Sequence, residues 1–360
     1  MKTLVVEGRL LKDNLTVIKK RAGSAQVIAD LSGNAQGMGL LGVARILRED
    51  GVRFFALSEP EDAELLRKSG FTEEQILMQR STVDTDEIER LIDKNVIFTI
   101  GSLEAAVALN SVATAHRTVI EVQIKIDTGL GRYGFSPSET DKIENVFRHM
   151  PVLAVVGVYT RLSAPQKARS SAKKQLEAYN GVLERLQGDG FETGMTHALD
   201  STSMFRLNTE PYDAICAGSA LTGLVYGRER LGLAAPAWVE ADIEEINWMQ
   251  KGETIGDGAA CKLRRNSRVG VLSVGWYNGL GLVREGQNEG KKGIDAIKTF
   301  ISGPRYAPTV KVAGKRTHVL GRIGITFTLI DLTDIDCRPG DIAMLEIDPR
   351  MVKGLPITYR

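Results

Sequence analysis

Polar side chains that could bind a small ligand follow most of the short β-rich runs in the first two thirds of this sequence. They carry hydroxyl, amide, carboxylate, ammonium, guanidinium and thiol groups. They are Ser32, Asn34, Ser58, Glu59, Arg80, Ser102, Lys125, Asp127, Arg161, His197, Asp200, Ser201 and Cys216–Ser219. The set contains no evident nucleophile–base pair, and its carboxylates and histidines do not cluster as metal ligands do. We therefore predict a polar rim that suits a small anion, and no metal site.

The elements that must position this rim alternate regularly between residues 11 and 230. Helical segments such as Thr85–Lys94 and Ser170–Gly188 separate eight strand-like runs. The predicted strands are Gln26–Leu31, Arg53–Leu57, Gln75–Met78, Val96–Thr99, Val119–Ile126, Leu153–Tyr159, Gly194–Leu199 and Tyr212–Ala217. This α/β alternation predicts a (β/α)8 TIM barrel, in which the rim lies at the carboxyl ends of the strands. A doubly wound open sheet is the alternative, but no glycine-rich fingerprint follows the first strand.

The pattern changes after about residue 235, where helical periodicity fades. Short β-rich runs are now separated by Gly, Pro and Asn turns, which is typical of a mainly β domain. These runs are Val269–Val274, Thr309–Val312, Ile325–Asp331 and Asp341–Ile347. We predict a barrel over residues 1–234, a β-rich C-terminal domain over residues 235–360, and an exposed loop over residues 277–297.

The bulk composition excludes several classes of protein. The 360 residues are 43% hydrophobic and 25% charged with a net charge of +1, so the composition is globular and does not favour nucleic acid or an anionic membrane as a partner. The apolar run Pro151–Tyr159 is too short to cross a bilayer, and Met1–Glu7 is too short for a signal peptide. Three cysteines, Cys216, Cys261 and Cys337, do not make a disulfide framework, which favours the cytoplasm.

One run at the end of the fifth predicted strand, IKIDTGLGRYGF at Ile124–Phe135, resembles the alanine racemase signature. Further segments agree with that family in the same order along the chain. They are Leu31–Gly39, His197–Ser201, Cys216–Leu221, Val274–Gly279 and Leu320–Ile323. The resemblance implies a barrel followed by a β-rich domain, and a head-to-tail homodimer. It also implies pyridoxal phosphate held by a lysine as a Schiff base, with that lysine and a tyrosine as opposed bases.

The residues that would perform this chemistry are replaced. The position that matches the lysine is Ser32, whose hydroxyl cannot form an imine, and the position that matches the tyrosine is Trp276, which has no acid–base function near neutral pH. Other replacements surround the implied cofactor. They are Gln36 for a tyrosine that contacts the phosphate, Arg161 for a histidine that packs on the ring, Cys216 for an arginine at the ring nitrogen, Cys261 for a tyrosine, and Gly324–Thr326 for a Cys-Met-Asp run.

Part of the implied site remains. Lys125 and Arg132 match a pair that lies beside the cofactor in the family, where the lysine is often carbamylated. Ser201, Gly218 and Ser219 match contacts to the phosphate. An anion-binding nest can therefore persist at the barrel mouth.

These replacements lead us to expect an alanine-racemase-like protein with a degenerate cofactor site, not an active racemase. It would be a pseudoenzyme, or would bind a small anion or an amino-acid-related ligand, with a regulatory role conceivable. We expect no resident cofactor, since pyridoxal phosphate is implied by resemblance only. The alternative is a racemase or related isomerase of altered chemistry, which uses non-covalent pyridoxal phosphate or the thiols of Cys216 and Cys261.

The resemblance also implies how copies of the chain would assemble. It predicts a homodimer in which Trp276 and Thr326 face the partner's Ser32. A mixed dimer with an active racemase is a second possibility. It would make this chain a regulator.

Overall fold

The chain folds into two units, one of which is formed by two separate stretches of the sequence. The computed structural model describes residues 1–163, 169–225, 231–282 and 308–360. One unit is Leu10–Ala234, and the other combines Met1–Arg9 with Ala235–Arg360. The first strand, β1 (Lys2–Val6), therefore belongs with the C-terminal half. This differs from the prediction, which assigned residues 1–9 to the barrel.

The unit Leu10–Ala234 is a parallel barrel. Its strands are β2 (Gln26–Asp30), β3 (Phe54–Leu57), β4 (Gln75–Met78), β5 (Phe98–Ile100), β6 (Ile120–Ile126), β7 (Leu153–Thr160), β8 (Met195–Asp200) and β9 (Ala214–Ala217). They follow the order β4-β3-β2-β9-β8-β7-β6-β5. The ring closes just before β5, where Met78 N donates to Ile97 O at 2.9 Å and Ile97 N donates to Ile76 O at 2.8 Å. The predicted (β/α)8 barrel is confirmed.

Helices connect and cover the barrel strands. They are α1 (Gly8–Ala22), α2 (Ser32–Gln36), α3 (Leu40–Glu49), α4 (Pro60–Lys68), α5 (Thr85–Leu91), α6 (Leu103–Ala115), α7 (Thr140–His149), α8 (Arg169–Gly188) and α9 (Ser201–Arg206). All four residues of β3 are buried, as expected of a parallel strand that helices cover on one face and the barrel interior on the other. The core of this unit therefore lies on both sides of the strand ring.

The second unit is built on an antiparallel sheet. Its remaining strands are β10 (Ala237–Met249), β11 (Thr254–Ile255), β12 (Cys261–Lys262), β13 (Ser267–Leu272), β14 (Val310–Val312), β15 (Lys315–Thr317), β16 (Val319–Leu320), β17 (Thr328–Asp331), β18 (Ile342–Leu345) and β19 (Ile357–Tyr359). The main path is β15-β14-β18-β10-β13-β17-β16, and β1 pairs with both β10 and β19. This is the predicted mainly β C-terminal architecture, with the N-terminal strand added to it.

The 13-residue strand β10 is central to this sheet but absent from the sequence prediction. Charged residues interrupt its apolar pattern, and the structure accommodates them in two ways. Glu240 is buried, and its carboxylate accepts hydrogen bonds from the Arg360 guanidinium at 2.8 and 2.6 Å. A shift of register between Ile243 and Glu245 changes which face the later residues present.

The predicted exposed loop over residues 277–297 is described only in part. Trp276–Asn278 forms a short 3-10 turn, whereas residues 283–297 lie outside the described residues. Within the four described ranges, no helix combines the length and the apolar character needed to cross a membrane.

Candidate functional site

A hydrogen-bonded network joins polar side chains that follow β2, β3 and β4. Ser32 Oγ accepts hydrogen bonds from Ser58 Oγ at 2.9 Å and from Gln79 Nε2 at 3.1 Å. Asp30, the last residue of β2, accepts at Oδ1 from Gln79 Nε2 at 2.9 Å and from Ser32 N at 3.1 Å. The Ser32 hydroxyl is therefore fixed by its neighbours at the carboxyl ends of these strands.

Arg161, which follows β7, completes the network from another part of the ring. Its Nη1 lies 3.6 Å from Asp30 Oδ2 and donates to Gln79 Oε1 at 3.3 Å. The Asp30 side chain is 7% exposed and that of Arg161 is 35% exposed. Burial lowers the pKa of Arg161, but the negative groups around it, first among them the Asp30 carboxylate, together outweigh burial, so the net pKa is raised. Arg161 stays charged as the partner of a buried carboxylate.

Asp30 and Gln79 are residues of the network that sequence reasoning missed. Asp30 falls inside the predicted strand Gln26–Leu31, where it reads as one polar residue in an apolar run. The available signal was a carboxylate at a strand end that must be buried in a barrel, because buried carboxylates require a partner. Arg161 was already a candidate and is that partner.

The segment after Asp30 has an unusual backbone. Gly33–Gln36 in α2 all have φ between +53° and +66°, so this is a left-handed turn in which three of the four residues are not glycine. Such a conformation costs about 1–2 kcal/mol for each residue with a Cβ. The Asn34 side chain helps to hold it, since Oδ1 accepts from Leu40 N at 2.8 Å. Gln36 donates only a long 3.4 Å bond to Ser32 O. Strain of this kind is concentrated at functional sites.

Lys125 lies on β6 and is 2% exposed. Its Nζ donates to Arg132 O at 2.9 Å and lies 5.6 and 5.8 Å from the ring centres of Tyr133 and Tyr159. Burial, followed by the positive charges of Arg132 and Arg161, lowers the pKa of Lys125 to about 8. Among the described residues, no carboxylate forms an ion pair with this ammonium group, so its positive charge is not neutralised by direct contact.

The loop after β6 uses its carboxylate for its own backbone. Asp127 accepts hydrogen bonds from the amides of Gly129, Leu130 and Gly131 at 2.7–3.1 Å. Burial raises the pKa of Asp127, but these backbone bonds outweigh it and the net pKa is lowered. Asp127 thus shapes the loop that carries Arg132.

The residues that the resemblance matches to phosphate contacts lie where β8 and β9 end. Ser201 Oγ accepts hydrogen bonds from Gly218 N and Ala220 N, both at 3.0 Å. Asp30 packs against Gly218, because a Cβ built on this glycine would lie 3.2 Å from Asp30 Cβ and 3.4 Å from its carboxyl carbon. Ser219 follows in the same turn, with its carbonyl bonded to Thr222 Oγ1 at 2.8 Å. This nest is already satisfied internally and has a carboxylate beside it.

The two candidate thiols lie in different units. Cys216 is on β9, where burial, followed by the nearby Asp30 carboxylate, raises the pKa of its thiol. The protonated thiol is a poor nucleophile. Cys261 is half-buried on β12 of the second unit.

His197 lies inside the barrel. Its Nε2 is 2.9 Å from Gln123 Oε1, and its ring stacks on Tyr159 with 4.6 Å between ring centres. Burial lowers the pKa of His197 to about 3. It is a neutral interior residue near physiological pH.

Trp276 lies on an exposed loop surface of the second unit. Trp276 N and Tyr277 N donate to Gly324 O and Ile325 O, both at 3.0 Å, which ties two loops together. Four large side chains project from these loops: Trp276, Tyr277, Ile325 and Phe327 are 47%, 56%, 59% and 54% exposed. We refer to these four residues as the apolar loop cluster.

Metal binding finds no support in the described part of the chain, which holds no group of three or more His, Cys, Asp or Glu side chains able to surround an ion. The predicted site residues of the barrel all lie in the unit Leu10–Ala234: Ser32, Lys125, Arg132, Arg161, Ser201, Cys216 and Gly218.

Comparison with known proteins places both halves of the chain. Residues 7–225 match the family profile of the alanine racemase N-terminal domain, and residues 237–351 match that of the alanine racemase C-terminal domain. The chain belongs to the alanine racemase family. An alanine racemase of Carboxydothermus hydrogenoformans is 26% identical over 341 residues, which cover 93% of this chain and 86% of the relative. One of Methylacidiphilum infernorum is 27% identical over 345 residues, which cover 94% and 82%.

Solved structures agree with this assignment at the level of the fold. The alanine racemase of Clostridium difficile 630 superimposes with a TM-score of 0.86 at 20% identity, over all of this chain and 95% of the other. The biosynthetic alanine racemase of Pseudomonas aeruginosa gives a TM-score of 0.81 at 21% identity, over 100% and 99%. This alanine racemase family member therefore has the family's fold, and its barrel mouth has the polar network described above.

Proposed function

We propose that this chain is an alanine racemase family member with a degenerate cofactor site, which does not racemize amino acids but binds a small anion or an amino-acid-related ligand at the barrel mouth. The observation that carries the proposal is Ser32. It stands where the family resemblance implies the imine-forming lysine, and its hydroxyl is fixed by Ser58 and Gln79. A hydroxyl cannot form an imine, so the covalent attachment on which the family chemistry depends is not available.

The surrounding residues also fit pyridoxal phosphate poorly. The amides of Gly218 and Ala220, which would be donors to the phosphate, already donate to Ser201. The Asp30 carboxylate packs against Gly218 and would repel a phosphate dianion. Because these two amides are already used and the Asp30 carboxylate is negative, the site disfavours the phosphate of pyridoxal phosphate. We therefore derive no reaction step through this cofactor.

What the site offers instead is positive charge. Arg132 and Arg161 lie close enough to Lys125 to lower its pKa, whereas Asp30 is the one carboxylate paired with any of these three cations by direct contact among the described residues. An excess of cations in a partly desolvated mouth attracts a small anion. We assign its ligand contacts to Ser32, Gln36, Lys125, Arg132, Arg161, Ser201, Cys216, Gly218 and Ser219.

The alternative, an isomerase of altered chemistry that uses the thiols, has weaker support. A thiol that moves protons near neutral pH needs a pKa close to 7, and burial moves the pKa of Cys216 in the opposite direction. Replacement of Cys216 and Cys261 by serine tests it directly, since loss of a measured activity in either variant would favour the thiols.

The proposal is tested with purified protein and added pyridoxal phosphate. We expect no visible absorption band of a protein-bound cofactor and no conversion of L-alanine to D-alanine above the rate with buffer alone. The alanine racemase of Carboxydothermus hydrogenoformans, assayed in parallel, is the positive control. A bound-cofactor band together with racemization would refute the proposal.

We further propose that the barrel domain and the C-terminal domain act together in a homodimer, in which Trp276 and Thr326 face the partner's Ser32. The exposed apolar loop cluster supports an interface on the second unit, because four large apolar side chains on adjoining loops are uncommon on a surface that stays in water. A mixed dimer with an active racemase would use the same surface. Co-purification with such a racemase would favour the mixed form.

A further inference from the structure

We propose that Asp30 and Arg161 make the barrel mouth a site for a small, unphosphorylated monocarboxylate, in which Arg161 binds the carboxylate and Asp30 excludes phosphate. This inference rests on the proposed function, because it names the ligand class of the same site. It assigns a specificity role to Asp30, a residue outside the family resemblance.

Arg161 has N–H donors that its described contacts do not use. Among the described residues its guanidinium makes two contacts, both through Nη1, to Asp30 Oδ2 at 3.6 Å and to Gln79 Oε1 at 3.3 Å. A guanidinium carries five N–H groups in a planar fork that matches a carboxylate in two parallel hydrogen bonds. The side chain is 35% exposed, so part of this fork is accessible from solvent. A ligand carboxylate can bind there without breaking the contact with Asp30.

Asp30 limits the charge that such a ligand can carry. Its side chain is 7% exposed and its carboxyl carbon lies 3.4 Å from the position of a Cβ built on Gly218. A fixed negative charge therefore lies beside the nest at Ser201 and Gly218. Like charges within a few ångströms in a partly desolvated site strongly disfavour each other. A phosphate, close to a dianion at neutral pH, is penalised about twice as much as a monocarboxylate.

The hydrogen bonds within the nest at Ser201 and Gly218 also disfavour phosphate. The amides of Gly218 and Ala220 donate to Ser201 Oγ at 3.0 Å, so a phosphate would have to displace a buried hydroxyl to reach them. Lys125 is 2% exposed, so its charge acts on the ligand at a distance. Arg161 is thus the accessible donor beside Asp30, and a single carboxylate matches it.

Isothermal titration calorimetry at pH 7.5 and constant ionic strength tests this ligand preference, with propionate and inorganic phosphate as probes. We expect wild-type protein to bind propionate saturably and phosphate at least tenfold more weakly. Equal or tighter binding of phosphate, or no binding of propionate, would overturn the inference. This comparison needs no variant, and it is independent of the cofactor and racemization assays, so the two proposals fail separately.

Two variants test the assigned roles. Arg161→Gln should weaken propionate binding at least tenfold, whereas Arg185→Gln, on the exposed face of α8, should leave it unchanged. Asp30→Asn keeps the shape of the side chain and removes its charge, so it should strengthen phosphate binding at least tenfold and change propionate binding less. Unchanged propionate affinity in folded Arg161→Gln, or unchanged phosphate affinity in folded Asp30→Asn, would remove that residue from the proposal.

Discussion

A network of polar residues lies at the mouth of this barrel. Asp30, Ser32 and Arg161 all lie at the carboxyl ends of strands, where side chains determine function while the strands behind them determine stability. Asp30 and Arg161 are also coupled, since a buried carboxylate without a cation beside it would be costly. The two therefore have to be understood as a pair, and Ser32 as a member of their network.

This coupling predicts that a lysine introduced at position 32 alone does not give racemase activity. Ser32→Lys should give no more than about 1% of the racemase activity of a competent family member, because the Asp30 carboxylate remains beside Gly218 and the indole of Trp276 has no acid–base function near neutral pH. The measurement is conversion of L-alanine to D-alanine with saturating pyridoxal phosphate. Ser58→Lys, which introduces an amine at a neighbouring position, is the matched control. Substantial activity in Ser32→Lys would contradict the concerted loss proposed for this site.

Lys125 gives a second prediction at this scale. Its pKa of about 8 in the folded protein is below the ordinary value of 10.5, so the charged amine is less stable in the folded state than in the unfolded state. Folding stability should therefore rise with pH between about 8 and 10.5, where the unfolded chain holds a proton that the folded protein has released. Lys125→Met should stabilise the protein at pH 7 by up to about 3 kcal/mol.

Urea unfolding at pH 7 and pH 10 checks this. The difference in the free energy of unfolding between Lys125→Met and wild type should shrink as the pH rises from about 8 to 10.5. Lys20→Met, at an exposed position on α1, should show no such change. A Lys125→Met variant less stable than wild type at pH 7 would show that the buried ammonium group does not destabilise the folded protein.

At the scale of elements, the left-handed turn in α2 was not foreseeable from the residues that form it. Asn34, Ala35 and Gln36 individually favour ordinary conformations, and only Gly33 tolerates positive φ at no cost. The turn exists because β2 and α3 fix its two ends and because Asn34 bonds to Leu40 N. The strain is thus imposed by the barrel.

A pair of buried alanines tests this strain. Ala35 and Ala44 are 1% and 0% exposed, but Ala35 has φ +53° whereas Ala44 lies inside the right-handed helix α3. Ala44→Gly should cost about 1 kcal/mol or more. Ala35→Gly should be neutral or stabilise by up to about 1 kcal/mol, because glycine relieves the positive φ. Denaturant midpoints of the two variants give the comparison, and equal destabilisation would show that the turn is not strained.

The barrel strands were predictable because helix-covered parallel strands are apolar throughout. The predicted run Gln75–Met78 coincides with β4, and most others agree with the structure to within a residue or two. Two features were missed where a distant partner neutralises a charge. Asp30, inside a correctly predicted strand, was not recognised as a site residue that pairs with Arg161, and the strand β10 was not predicted, although Arg360 pairs with Glu240 within it. A partner this distant along the chain leaves no local signal.

At the scale of the whole molecule, the ends of the chain belong to the same unit. β1 pairs with β10 in antiparallel register and with β19 in parallel register, so Met1–Arg9 completes the sheet of the C-terminal half. A sequence pattern shows that residues 2–6 are apolar but not which distant strands they join. This is why the boundary between the two units was predictable near residue 235 and the return of the N-terminus was not.

The apolar loop cluster provides the prediction that concerns the whole molecule. If it forms the homodimer interface, wild-type protein should sediment as a dimer at micromolar concentration, and the double variant Ile325→Asp/Phe327→Asp should be monomeric, because buried charges would replace apolar contacts. Trp248→Asp is the matched control, since Trp248 is 67% exposed on β10 and outside the cluster. Analytical ultracentrifugation separates the cases: a monomeric wild-type protein, or a double variant that still dimerises, would exclude the cluster as the interface.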